Sequence, residues 1–139
     1  MRLLPIALLA AATLAQAQTP AAEAERLVLD ASRALQAGNA ARFLSYCDKK
    51  AMDDFPVLRQ KIATLANQRD IASSVDVSIS ETDGSRITLD VDWLLQLTWT
   101  REVADVERRQ AVIQVTVETA GEQPRIVSIA PTDLFNPTR

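Results

Sequence analysis

The strongest constraint on the fold is a long alternation of apolar and polar side chains in the second half of the chain. Apolar residues occupy every odd position from Ile87 to Trp99, and Leu94 is the one apolar residue among the even positions between them. Successive side chains of a β-strand point to opposite faces, so this pattern predicts a strand with one buried face. The strand is about twice the common length, and we therefore expect it to bend, with a bulge near Leu94 and Leu95.

The same period of two occurs on both sides of this strand. Val75, Val77 and Ile79 alternate with polar residues, and Asp83-Gly84 is the signal of a two-residue hairpin turn. After a connection around residues 102–106, the odd positions from 111 to 117 are again apolar, and a last strand covers residues 125–130 before Pro131. These segments predict a four-stranded antiparallel meander.

The first half of the domain is helical. Thr19 and Pro20 are typical of a helix start, and Gly38 of a helix end. Between them, apolar residues follow the spacing of one helix face, namely Ala24, Leu27, Val28, Ala31, Ala34 and Leu35. The sequence therefore predicts one long amphipathic helix.

Two shorter helices follow. Asn39 caps a helix that runs to about Asp48 and buries Phe43 and Leu44, whereas Asp53 or Asp54 caps a third. The third helix carries the apolar stripe Phe55, Leu58, Ile62, Leu65 and Ala66. The fold class is α+β: the N-terminal helices cover the concave face of a strongly bent antiparallel four-stranded sheet.

Residues 1–17 have the features of a secretory signal peptide. Arg2 is followed by the apolar run from Leu3 to Leu14, and Ala15-Gln16-Ala17 provides a cleavage pattern before Gln18. We therefore expect an exported protein, periplasmic or secreted, whose single domain covers residues 18–139. Once the signal is removed, no membrane partner is expected.

The composition also limits the kinds of active site and metal site that the chain can form. The chain of 139 residues has no His, 3 Gly and 1 Cys, which excludes His-based triads, His-containing metal sites and glycine-rich phosphate loops. We expect no metal and no cofactor. The net charge of −3 makes nucleic acid a poor partner. Cys47 is interpreted as a buried small hydrophobe, with an intermolecular disulfide as the alternative.

The order of these elements resembles the nuclear-transport-factor-2-like (NTF2-like) superfamily, also called SnoaL-like or cystatin-like cones. The resemblance is carried by the segment from Ala34 to Asn39, Phe43-Leu44, the strand from Ile87 to Trp99, and the ending Ile126 to Pro131 with Leu134-Phe135. Within the superfamily, the chain is most similar to exported bacterial members of unknown function. The resemblance implies a cone-shaped fold, and it implies no activity, because this fold carries both enzymes and binding domains.

Tyr46 with Asp48, Asp53 or Asp54 is the candidate set for proton transfer. An aspartate in an apolar pocket can act as a base, and a tyrosine can stabilise an oxyanion. The simpler interpretation gives Asp53 and Asp54 to helix capping and the tyrosine ring to the core.

Other candidates lie on the long strand. Trp93 and Trp99, together with Tyr46, are candidate contacts for a small apolar ligand, although both Trp rings would also fill a core. Asp90 and Asp92 share the polar face, and we interpret them as solvated surface rather than a catalytic or metal pair. Leu94 and Val112 form an apolar patch on that outer face, a candidate surface for a homodimer. The sequence favours a non-catalytic binding module, for a small apolar ligand or a protein, over an isomerase or cyclase.

Overall fold

The computed structural model describes residues 19–99 and 105–138. They form three α-helices, four strands and one 3-10 helix: α1 Pro20–Gln36, α2 Ala40–Ser45, α3 Phe55–Gln68, β1 Asp70–Asp83, β2 Arg86–Thr98, β3 Val106–Glu118, β4 Arg125–Ala130 and the 3-10 helix Asp133–Phe135. The predicted signal peptide, and most of the connection predicted before β3, lie outside the described residues. Among the helices described, none combines the length and apolar character needed to cross a membrane.

The four strands form one antiparallel sheet in the order β1-β2-β3-β4, which confirms the predicted meander. Every odd position of β2 is buried, and Val91 pairs with Val77 on one side and Ile113 on the other. The apolar sets of three neighbouring strands therefore share one face of the sheet. The helices cover that face, which confirms the α+β prediction.

The bulge predicted near Leu94 and Leu95 is wrong. Both residues keep an uninterrupted register with β1 and with β3. The register shifts lie instead between Ile79 and Glu81 of β1, and where β3 at Thr116 and Val117 meets β4. A central strand must match two neighbours at once, whereas an extra residue in an edge strand disturbs only one ladder.

The start and end of α1 are as predicted. Thr19 Oγ1 accepts a hydrogen bond of 3.1 Å from the backbone N–H of Ala22. At the other end, Gly38 has φ of +72°, a conformation that glycine adopts without steric cost. Asn39 then caps α2, its side chain accepting from the N–H of Arg42 at 3.0 Å. This tight turn brings α2 back beside the last turns of α1.

Two details of the shorter helices differ from the predictions. Helix α2 ends at Ser45, not near Asp48, because the chain leaves the helix to pair with β4. Ile126 donates its N–H to the Tyr46 carbonyl and accepts at its own carbonyl from the N–H of Asp48, both at 2.8 Å. Asp54 occupies the N-cap position of α3, but its side chain makes no capping hydrogen bond. The position of the helix start was therefore predicted correctly, but the predicted capping by the aspartate side chain is absent.

Three aromatic rings fill the centre of the space between helices and sheet. Trp93 of β2 lies 5.3 Å from Phe135 and 6.3 Å from Phe43, measured between ring centroids. Phe135 belongs to the C-terminal segment after β4, the tail, which is hydrogen-bonded to the sheet. Arg109 of β3 donates to the carbonyl oxygen of Leu134 at 2.9 Å and to that of Asn136. The C-terminal segment is therefore part of the core.

Candidate functional site

A groove between α1 and α2 contains one of the predicted ligand residues, Tyr46. The left-handed turn at Gly38 places the two helices side by side, and the space left between their exposed faces measures about 360 Å³. The groove is open to solvent. Its lining residues are Asp30, Arg33, Ala34, Ala37, Asn39, Arg42 and Tyr46.

Arg42 and Tyr46 form one wall of the groove. They lie one helical turn apart at the end of α2, and Arg42 donates its Nε–H to the Tyr46 hydroxyl oxygen at 3.3 Å. That hydrogen bond raises the pKa of the Arg42 guanidinium. Like any arginine, Arg42 is charged under physiological conditions. The Tyr46 ring is half-buried and gives this wall an apolar surface.

The opposite wall carries an ion pair of α1. Arg33 and Asp30 approach to 3.5 Å, with 76% and 37% of their side chains exposed. Exposed pairs of this kind contribute little to stability, so Arg33 can exchange Asp30 for another anion at low cost. With two guanidinium groups and one carboxylate, the groove has an excess of one formal positive charge.

The predicted acid partners of Tyr46 do not line this groove. Asp48 lies in the turn after α2, where one carboxylate oxygen accepts from the backbone N–H groups of Lys50 and Ala51 at 3.0 and 3.2 Å. Asp53 and Asp54 are exposed before α3. The carboxylate near Tyr46 is Asp30, which sequence reasoning missed because it falls on the polar face of an amphipathic helix. A catalytic role for these aspartates stays a prediction.

The two tryptophans lie in different surroundings. Trp93 is 1% exposed, and its indole N–H donates to Ser73 Oγ at 2.9 Å, so its packing leaves no face for a ligand. Trp99 follows the end of β2 and is 43% exposed, with the Arg69 guanidinium 3.1 Å from its ring centroid. Ligand contact by Trp99 stays a prediction.

The outer face of the sheet is acidic at its centre. Asp92 of β2 lies directly opposite Asp76 on one side and Val112 on the other, and it accepts from the side-chain amide of Gln110 at 3.0 Å. Val112 is 63% exposed. The structure thus places Asp90 and Asp92 on the surface side of β2, away from the core. Within residues 19–99 and 105–138, no group of three metal-ligating side chains is found.

Cys47 is buried, with 5% of its surface exposed. Burial raises the pKa of its thiol to about 12, so the group stays protonated. This confirms its interpretation as a small buried hydrophobe.

Comparison with known proteins rests on structure. No family model matches the sequence, and no curated protein matches it either. Among solved structures, the beta subunit of the benzoate 1,2-dioxygenase of Burkholderia mallei superposes with a TM-score of 0.63 at 14% identity, covering 78% of this chain and 86% of the subunit. The structural neighbours, this subunit among them, are members of the NTF2-like fold. The chain has the NTF2-like fold.

A candidate scytalone dehydratase of Novosphingobium aromaticivorans shares this NTF2-like fold. It superposes with a TM-score of 0.63 at 13% identity, over 77% of this chain and 78% of that one. The same organism also has the beta subunit of a candidate aromatic-ring-hydroxylating dioxygenase, which superposes with a TM-score of 0.61 at 10% identity. The match covers 92% of this chain and 99% of that one. At such identities the likeness shows the fold alone, because one fold hosts many activities.

Proposed function

We propose that this NTF2-like domain is an exported, non-catalytic binding module. Its ligand is a small molecule with an apolar body and an acidic group, held in the groove between α1 and α2. The observation that carries the proposal is the Arg42 guanidinium hydrogen-bonded to Tyr46 within a groove that Arg33 also lines.

The donors of this groove suit a carboxylate. Arg42 uses its Nε–H on Tyr46, and its two terminal amino groups still carry four N–H donors in one plane. Such a group binds a carboxylate through charge-assisted hydrogen bonds, which are stronger than neutral ones. The Tyr46 ring, Ala34 and Ala37 supply contacts for the apolar body. A volume of about 360 Å³ suits a ligand of one or two rings.

The alternative is an isomerase or cyclase that uses Tyr46 and a nearby aspartate. Proton transfer requires a base within hydrogen-bonding reach of a substrate beside Tyr46. Among the described residues, the one aspartate that lines the groove is Asp30, and 37% of its side chain is exposed to solvent rather than enclosed in an apolar pocket. Binding is therefore the function that this geometry favours.

An NMR titration tests the proposal. Purified protein is titrated with benzoate as a minimal acidic probe and with benzyl alcohol as its uncharged counterpart, and backbone amide shifts are followed at Ala34, Ala37 and Tyr46. We expect benzoate to bind more tightly and to shift these amides. Loss of a charge-assisted hydrogen bond in Arg42→Gln should weaken benzoate binding about tenfold to a hundredfold.

Arg59→Gln is the matched control, because Arg59 is an exposed arginine of α3 away from the groove. Its benzoate affinity should equal that of the wild type. Equal affinity of Arg42→Gln and Arg59→Gln, or no preference for benzoate over benzyl alcohol, would refute the groove as an acid-binding site.

A further inference from the structure

The two edges of the sheet differ in how their backbone groups are satisfied. At the β4 edge, Ile126 pairs through both its N–H and its carbonyl with the segment after α2. At the β1 edge, the contact shown for the described residues is a side-chain contact: Gln36 Oε1 accepts from the N–H of Ser73 at 3.0 Å. The sheet is therefore covered at one edge, whereas at the other edge the outward-facing backbone groups of the rest of β1 have no backbone partner within the described part of the chain.

The contact at Ser73 identifies which groups of β1 face outward. In an antiparallel strand, the N–H and carbonyl of one residue point to the same side, and this side alternates along the chain. The register between β1 and β2 is continuous from Ser73 to Ile79. The N–H and carbonyl groups of Val75, Val77 and Ile79 therefore point away from β2, toward the open edge.

This edge lacks two of the usual protections against pairing, lysine and proline, and its bulge lies beyond Ile79, which leaves residues 73–79 regular. Exposed edge strands commonly carry lysine or proline, which discourage the addition of another strand. β1 contains neither, and its 14 residues make it as long as a central strand. Ile79, at the outer end of the open stretch, is 42% exposed.

The stretch is also self-complementary. Residues 74–80 have the sequence Ser-Val-Asp-Val-Ser-Ile-Ser, with apolar residues at every second position around Val77. In an antiparallel pair centred on Val77, Val75 meets Ile79 of the other copy, and Asp76 meets Ser78, whose hydroxyl can donate to the carboxylate. A pair centred on Asp76 would instead place two carboxylates opposite each other.

We propose that a second copy of this chain pairs with β1 through this edge, about a two-fold axis at Val77. The two four-stranded sheets then form one continuous antiparallel sheet of eight strands. The interface is isologous, as expected for a symmetric dimer. The bulge between Ile79 and Glu81 ends the paired stretch.

Stacking through the outer sheet face, the surface that Leu94 and Val112 suggested, is less favourable. The nine central positions of that face on β1, β2 and β3 hold three aspartates and no basic side chain: Ser74, Asp76, Ser78, Asp90, Asp92, Leu94, Gln110, Val112 and Gln114. Two such faces would oppose each other with like charge. Edge pairing keeps these carboxylates apart.

Analytical ultracentrifugation combined with amide hydrogen exchange tests the proposal. We expect the wild-type protein to dimerise, and the amides of Val75, Val77 and Ile79 to become protected as the protein concentration rises. Ile79→Pro removes an outward N–H without breaking a bond to β2, and the symmetric pair loses it twice. The dimer dissociation constant should rise about tenfold to a hundredfold.

Ile79→Lys is a second edge variant that keeps the backbone intact, and Val112→Lys on the outer face is the control. Weakened dimers in both Ile79 variants, with Val112→Lys unchanged, support edge pairing. A wild-type monomer at several hundred micromolar would overturn the proposal. So would a dimer that Val112→Lys dissociates, or one in which the three amides still exchange as in a monomer.

Discussion

Replacing Ser73 by Ala tests the polar contact that joins α1 to the sheet. Ser73 Oγ receives the indole N–H of Trp93 at 2.9 Å and lies 2.7 Å from Ser32 Oγ. Trp93 and Ser32 are 1% and 4% exposed, so water does not reach them easily. Without the Ser73 hydroxyl, the Trp93 N–H loses its partner in a buried position.

The magnitude follows from these two contacts. A buried donor left without a partner costs about 1–3 kcal/mol. The Ser32 hydroxyl loses a partner as well, but on a helix it can turn to a backbone carbonyl of the preceding turn, so its loss costs less. We therefore expect Ser73→Ala to lower the free energy of unfolding by about 2–3 kcal/mol. Ser32→Ala should cost about 1 kcal/mol, because Ser73 keeps its bond to Trp93.

Urea denaturation monitored by tryptophan fluorescence measures both changes. Ser74→Ala is the matched control, since the neighbouring serine is exposed on the other face of β1 and should cost within about 0.5 kcal/mol. In the double variant, Ser32→Ala should add little to Ser73→Ala, because both remove the same contact. Equal stabilities of Ser73→Ala and Ser74→Ala would refute the buried hydrogen-bond argument.

Two further predictions concern the tail and the ion pair that joins the start of β2 to the end of β3. Phe135 is fully buried, and Phe135→Ala should lower the free energy of unfolding, measured by urea denaturation, by about 3–5 kcal/mol. The control, Val57→Ala on the surface of α3, should lower it by about 0.5 kcal/mol or less. A loss below about 1 kcal/mol for Phe135→Ala would show that the tail is not part of the core. Glu118 accepts from Ser85, Arg86 and a backbone N–H, which lowers its pKa below 4.5; its ionised form therefore stabilises the fold above that value, and this contribution is lost as the pH falls through the lowered pKa. The Tm difference between wild type and Glu118→Gln should thus be largest at pH 7 and shrink as the pH falls below 4.5, and an equal difference at pH 7 and in acid would contradict a role for the charge.

The fold was largely predictable because its elements are marked by local patterns. The odd-position apolar residues of β2 and β3, the Thr19 cap and the turn at Gly38 all appear as expected. The end of α2 was not predictable, since residues 46–48 leave the helix to bond Ile126, far along the chain. The positions of the bulges were not predictable either, because they depend on which strands lie at the edges of the sheet.

Less of the candidate site could be predicted from the sequence. Tyr46 was identified because it is the single tyrosine, but Asp30, Arg33 and Arg42 look like ordinary solvated helix surface. They become a site only when the turn at Gly38 places two such surfaces together. Trp93 differs from these residues, because its ring is of a type suited to ligand stacking but packs against Phe135 in the core.

The pairing of Ile126 with the segment after α2 also has a consequence for the order of events during folding. Arg125 donates to the Ser45 carbonyl across 80 residues of sequence, beside the backbone bonds of Ile126. Closing so long a loop is costly until the strands between its ends have paired. While β4 is still unpaired, the Ile126 bonds that hold residues 46–48 cannot form. The end of α2 therefore gains its final packing late in folding, after β4 has joined the sheet.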